Sequence, residues 1–255
     1  MTKRIVFFSN RKIDHQAGPI YRIGSDLAAA GKTVILVDAN PQCNLTLHSL
    51  TKATKNDEAA IKEVLAFDHN IDIGVHLELK WVYCYKLNER LLLLPGSISF
   101  AESETLPNIN KLLFSITNLL DTIAKQYNAD YILIDTDTTL GKINQSIVTT
   151  SDFWVIPLST YNNTFPTQAL YSLIKVVTDW IDWTKIYKYK GENPFPGVRW
   201  LGMFPVDNTA ITDDLAYVVK TCLLPELQER DMIPTLAQNW EIHEFMRAAK
   251  NNLGA

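Results

Sequence analysis

The sequence lacks most of the features that announce a function directly. Its three cysteines, Cys43, Cys84 and Cys222, are odd in number, and no pair has metal-site spacing. That argues against a disulfide framework and fits a reducing, cytoplasmic setting. The five histidines are scattered and suggest no ligand cluster. There is no excess of positive charge. A net charge of -4 gives no global pull toward nucleic acid, so any DNA contact must come from a local patch. No apolar run approaches the roughly 18 residues of a spanning helix, which excludes a membrane partner at this stage. The opening MTKRIVFFSN has too short an apolar stretch for a secretory signal. Internal repeats and low-complexity segments are absent as well. What remains is ordinary for a globular chain: 47% hydrophobic and 20% charged residues. At 255 residues the chain has room for one large α/β domain, the reading adopted for residues 1–255, or two small ones.

Residues 32–46 organise the rest. Val34 to Val37 form a continuous apolar run that ends on Asp38 and enters a polar loop. A run of this kind is expected of a parallel strand covered on both faces. In an open α/β sheet, ligands sit beyond the carboxyl ends of such strands, so Asp38 is a first candidate for chemistry. Upstream, residues 4–9 read as a strand, residues 10–18 as a loop and residues 20–30 as a helix, with Gly31 as its C′ residue. This strand–loop–helix–strand unit is the expected home of a phosphate-binding loop. Gly31-Lys32-Thr33 spells GKT, but it closes a helix and opens a strand, the reverse of what a phosphate loop does.

Downstream, residues 58–67 read as a helix, and Trp81, Tyr83 and Tyr85 alternate as in a half-buried strand. Residues 90–104 read as a strand and a turn at Pro95-Gly96. An amphipathic helix is expected over residues 107–127, with Leu112, Leu113, Ile116, Leu119, Leu120 and Ile123 at helical spacing. Tyr131 to Ile134 form a second buried strand, ended by Asp135. Residues 151–177 read as strand, loop and helix. Trp180, Trp183 and Tyr187 extend that helix with aromatics suited to core or subunit contact, or to stacking on bases. A Pro/Gly loop follows at residues 187–197, then a strand at 198–208, a helix at 211–229, a short strand at 231–234 and a last helix at 238–250.

VILVDANPQCNLT at residues 34–46, LLPG at 93–96 and YILIDTDTTLG at 131–141 resemble the ParA/MinD group of deviant P-loop ATPases. The usual patterns there are close to VLLIDxDPQxNLT, LLPG and YILIDxPPSLG. The resemblance runs from the first strand to the last helix. It implies one doubly wound, mostly parallel sheet of about seven strands with helices on both faces. It also implies ATP and Mg2+ as cofactors, dimerisation with a second copy or a ParA-like relative, an adaptor protein, and non-specific DNA as a partner. Asp38 and Asp135 would hold the catalytic positions, and Asp135 would orient Mg2+. The adenine side would fall near Asp207. Arg247 and Lys250 would meet DNA phosphates, although a solvated helix face suits these two cations as well.

The phosphate loop departs from the pattern. Where KGGxGKTT is expected, residues 10–19 read NRKIDHQAGP. Counting back from Asp38 puts Gln16 at the phosphate-binding lysine and Ala17 at the Mg2+-binding threonine. The wrapping glycines are missing, and Asp14 adds a negative charge. Pro19 removes one helix N-terminal N–H. Three readings follow. The first is a ParA-like protein that has lost ordinary hydrolysis and acts as a binding or regulatory module. The second is an active partition ATPase with a rebuilt loop, in which Lys12 or Arg22 supplies the charge. The third is a non-specific DNA-binding protein without nucleotide control.

Overall fold

A computed structural model describes residues 1–10, 16–55, 57–59, 61–62, 82–96, 109–158, 167–186 and 197–205, and the single positions 232, 245 and 247. Lys12, Asp14, Asp207 and Lys250 lie outside the described residues, as do the helix expected over 211–229 and nearly all of the loop expected over 187–197.

The described elements are β1 (Lys3–Phe7), α1 (Ala17–Ala29), β2 (Val34–Ala39), α2 (Asn44–Ala53), β3 (Tyr85–Lys86), β4 (Leu91–Leu94), α3 (Ile109–Gln126), β5 (Tyr131–Thr136), α4 (Lys142–Thr150), β6 (Phe153–Leu158), α5 (Thr167–Ile186) and β7 (Arg199–Pro205). The strands form a seven-stranded sheet in the order β3-β4-β2-β5-β1-β6-β7. All neighbours are parallel except β3 and β4. The expected mostly parallel, doubly wound sheet is therefore present.

Alternate residues of each strand feed two cores, as strand geometry requires. Val6, Ile35, Val37, Ile132, Ile134 and Trp154 face one core, which is covered by Leu119 and Ile123 of α3, Ile147 of α4 and Leu173 and Val177 of α5. Ile5, Phe7, Val34, Leu36, Leu133 and Val155 face the other, covered by Ile20, Ile23 and Leu27 of α1 and Leu45 and Leu50 of α2. Phe245 is buried in this second core, its ring 6.3 Å from that of Phe7. By the same alternation Asp38 and Asp135 fall on the α1–α2 face, which decides their partners. Trp180 packs in the core with its ring 5.7 Å from Phe8, so of its expected uses core packing is the one realised.

Several boundaries move. The first helix starts at Ala17, within the stretch read as loop. Pro19 is tolerated there because a helix leaves its first N–H groups without internal partners. The helix closes as expected: Gly31 has φ 88°, a left-handed conformation natural to glycine, and its N–H reaches Ala28 O at 3.0 Å. Two helices, α2 and α4, were absent from the sequence reading. Among the described residues of the stretch expected to alternate, Tyr85 alone enters a strand, the two-residue β3. Of the strand expected at 231–234, Met232 is described, and its carbonyl accepts from Trp200 N at 2.8 Å.

Candidate functional site at the ends of β2 and β5

The strands β2 and β5 lie in register, with Asp38 opposite Asp135 and Ala39 opposite Thr136. Both carboxylates are buried, Asp38 completely. Such groups are costly unless hydrogen-bonded. The chain answers this differently at each.

At Asp38 the following turn folds back over the carboxylate. The Asn40 side chain accepts from Gln42 N at 3.0 Å, and Asn40 O accepts from Cys43 N at 2.9 Å. Cys43 then adopts a left-handed conformation, φ 52°, and launches α2. This brings Thr46 onto Asp38. The Thr46 N–H and hydroxyl both donate to Asp38 Oδ2 at 2.7 Å, and Asn40 N donates to Oδ1 at 3.2 Å. The Thr46 hydroxyl in turn accepts from Gly96 N at 2.8 Å. Gly96 fits because it has no side chain: a Cβ there would lie 3.0 Å from both Asp38 Cγ and Cys43 Sγ. Burial raises the Asp38 pKa from 3.8 to about 6, against the downward pull of these donors. Burial and the neighbouring Asp38 also push the Cys43 thiol up to about 11, so it stays protonated.

At Asp135 the partner comes from across the sheet. Gln16, at the N-cap of α1, makes no capping bond with its side chain. Its Nε2 instead donates to Asp135 Oδ1 at 2.5 Å. The carboxyl is held well above its ordinary range, first by burial and then by the Asp38 charge; Gln16 opposes this and Asp137 adds to it. Thr136 donates to Phe7 O at 2.9 Å, tying β5 to β1. Asp137 Oδ1 accepts from Thr139 N at 3.0 Å, from the Thr139 hydroxyl at 2.9 Å and from the Asn144 amide.

A cavity of about 730 Å³ opens above these strand ends. Gln16, Ala17 and Gly18 line it from α1, Asn40, Gln42, Asn44, Leu47, His48 and Thr51 from the β2–α2 segment, and Asp135 to Thr138 from β5. It lies where open α/β sheets hold ligands. Among its described lining residues there is no lysine or arginine. Arg247 is exposed, in helical conformation and outside this lining. Among the described residues no group of three or more His, Cys, Asp or Glu could hold a metal, and no helix is long and apolar enough to cross a membrane.

The structure thus brings together Asp38, Asp135, Gln16 and Ala17 from the sequence reading. Asp38 sits beneath the turn while the other three line the cavity. Thr46, Gly96, Asn40, His48 and Thr51 had been given no role. The NLT and LLPG motifs were the available signal for Thr46 and Gly96; nothing local marked His48 or Thr51. Among the described residues, the cavity lining presents no ammonium or guanidinium to a magnesium triphosphate. By the count back from Asp38, a carboxamide and a methyl fall where the family pattern has an ammonium and a hydroxyl, and the carboxamide engages Asp135.

The family model described as AAA domain matches residues 18–186. The sporulation initiation inhibitor protein Soj of Bacillus subtilis (strain 168) is 32% identical over 139 residues, 53% of this chain and 50% of its own length. The chain therefore spans about half the length of this curated relative. A solved structure of pNOB8 ParA bound to nonspecific DNA has a TM-score of 0.61 at 18% identity, covering 92% of this chain and 79% of that one. Cobyrinic acid a,c-diamide synthase from Mycobacterium smegmatis, with bound ATP analog and magnesium, has a TM-score of 0.59 at 18% identity, covering 97% and 93%. At these identities the likeness is one of fold.

Proposed function

The chain belongs to the AAA-domain family whose model it matches, in its ParA/MinD-type branch of P-loop ATPases, and from that premise we propose that it is a ParA-like positioning protein that binds without ordinary nucleotide hydrolysis. One observation carries the reading: the side chain of Gln16, the residue that the count back from Asp38 assigns to the family's phosphate-binding lysine, is hydrogen-bonded to Asp135. A neutral carboxamide cannot supply the point charge that phosphoryl transfer needs on the β/γ-phosphates. Loss of one preorganised donor in such a site costs about 3 kcal/mol of barrier, and here a lysine, a hydroxyl and the loop glycines are all replaced.

In this reading the whole chain is one domain working in the cytoplasm. It pairs with a second copy or with an intact ParA-like relative, and an adaptor protein links it to cargo. Non-specific DNA is a further proposed partner, supported by the DNA-bound ParA of similar fold. Arg247, exposed on its helix, and Lys250 would meet the phosphate backbone. Asp38 and Asp135 keep the positions of catalytic groups and serve mainly to shape the cavity.

The test is steady-state ATP hydrolysis by the purified chain with Mg2+, alone and with random duplex DNA. Turnover at background level is expected in both. A clear turnover that disappears in Asp38→Ala would overturn the reading in favour of an active ATPase. The register pairing of Asp38 with Asp135 is the observation favouring that alternative, and Lys12 or Arg22 would then supply the missing charge.

A further inference from the structure

The cavity is not electrically uniform. On the β5 side its two carboxylates are already engaged: Asp135 by Gln16, and Asp137 by Thr139 and Asn144. On the opposite side α1 packs on α2, and the contact between them is specific. Gly18 lies against the His48 ring, 3.6 Å from the place its Cβ would take, and Tyr21 meets the same ring edge-on, with centroids 5.5 Å apart. Residues four apart share a helix face. Arg22 therefore lies one turn along from Gly18, and Lys52 one turn along from His48. Both cations are exposed. His48, Leu47 and Thr51 line the cavity itself. Arg22 and Lys52 stand beside that lining rather than in it, and Asp26 lies a further turn along α1.

We propose that this α1–α2 rim, formed by Arg22, His48 and Lys52, is a phosphate-binding site for a small phosphorylated ligand whose remainder occupies the cavity. Two cations flank an imidazole fixed by an aromatic edge, and through His48 this cluster borders a polar space large enough for a small metabolite. Burial first, and then the fields of Lys52 and Arg22, hold His48 below its ordinary pKa; a bound phosphate dianion relieves the part due to repulsion. Arginine supplies a planar fork for phosphate oxygens, and lysine a mobile point charge. The Asn40, Gln42 and Asn44 side chains offer neutral hydrogen bonds to the rest of the ligand. The site needs neither a lysine at position 16 nor a metal. It rests on the binding-module reading only in taking the cavity as a ligand site.

The test is calorimetric titration of sodium pyrophosphate, without divalent metal, into the full chain. Saturable binding is expected. Arg22→Gln with Lys52→Gln should weaken it at least tenfold, and His48→Asn severalfold. Glutamine preserves helix propensity, and thermal unfolding of each variant checks the fold. Arg22→Ala with Lys52→Ala provides a second pair if the first does not fold. No saturable binding by the wild type, or equal binding by the double variant, overturns the proposal. So does loss of random-duplex DNA binding in the double variant when pyrophosphate never binds. ATP turnover measured on the same samples reports on hydrolysis alone, so the two ideas fail separately.

Discussion

Asp38 and Asp135 make an instructive pair. They end neighbouring parallel strands, face one another in register, point to the same side of the sheet and are both buried. Their surroundings nonetheless differ. Asp38 receives two donors from Thr46 and one from Asn40, all within eight residues of chain. Asp135 receives the neutral Gln16 amide from another strand–helix junction. Local turn chemistry therefore stabilises the charge on Asp38, while Asp135 carries the burial penalty and its neighbour's charge together. Two adjacent buried carboxylates cannot both ionise cheaply, and such environments push their pKa values apart. Asp38 is the half that tends toward the anion, and Asp135 the half that tends toward the acid.

The largest expected effect comes from removing the better-anchored half. Asp38→Ala leaves the buried Thr46 N–H and hydroxyl without their acceptor and loosens the Gly96 contact that depends on that hydroxyl. A loss of about 4 kcal/mol in urea unfolding is expected, since each orphaned buried donor costs on the order of 1–3 kcal/mol. A loss no greater than that of an Asp135 partner variant would erase the distinction between the two halves.

The second effect is a pH dependence. Both carboxyls have pKa values raised by folding. The folded chain therefore binds more protons than the unfolded chain at mildly acidic pH, and stability falls as pH rises. For Asp38 the contribution is full below its ordinary value of 3.8 and is lost as pH rises through about 6. The shift corresponds to roughly 3 kcal/mol at 1.36 kcal/mol per unit. Asp135 extends the decline to higher pH. Unfolding free energies measured from pH 4 to 8 should show this slope, and Asp38→Asn should flatten its lower part. A wild-type profile that is flat through pH 6 contradicts the assignment.

Much of this was legible in the chain, and the reason is physical. Continuous apolar runs such as residues 34–37 and 131–134, ended by a carboxylate and a polar loop, suit a doubly covered parallel strand, so these two strands and their ends followed from pattern. The seven-stranded sheet followed from the ParA/MinD resemblance. The two carboxylates were found because they terminate those runs. The α2 helix was not found. Its N-cap has no Ser, Thr, Asp or Asn to mark it, only Cys43 in a left-handed conformation. The α4 helix was equally unmarked, since Gly141 precedes it without a side-chain cap. Thr46 had the NLT motif to mark it, but His48 gained its place only through α2, so its role could not be read before that helix was known. The Gln16–Asp135 bond joins positions 119 residues apart and has no local signal at all.

The third effect tests how closely the Asp38 half is packed. In Gly96→Ala the new methyl meets Asp38 Cγ and Cys43 Sγ at 3.0 Å and Asp38 Oδ2 at 3.1 Å. The carboxylate is held by three donors and cannot move without loosening them. About 2 kcal/mol of destabilisation is expected, in the ordinary range for overpacking. Adding Cys43→Ala removes one of the three crowded atoms and should recover part of the loss. If it recovers none, the strain resides wholly at Asp38.

The smallest effect belongs to the other half. Gln16→Met keeps the length of the side chain and removes its donor to Asp135. A buried carboxylate deprived of its partner would be costly, but this carboxyl is already displaced toward its neutral form. A neutral acid loses one ordinary hydrogen bond, about 1 kcal/mol, rather than the counter-charge of an anion. The loss should also shrink as pH falls, because protonation makes the Gln16 donor progressively less important. Measured at pH 5 and at pH 8, the Gln16→Met penalty should be smaller at pH 5. A penalty of several kcal/mol that is the same at both values would mean that Asp135 is ionised in the folded chain throughout, and the contrast between the two carboxylates would collapse.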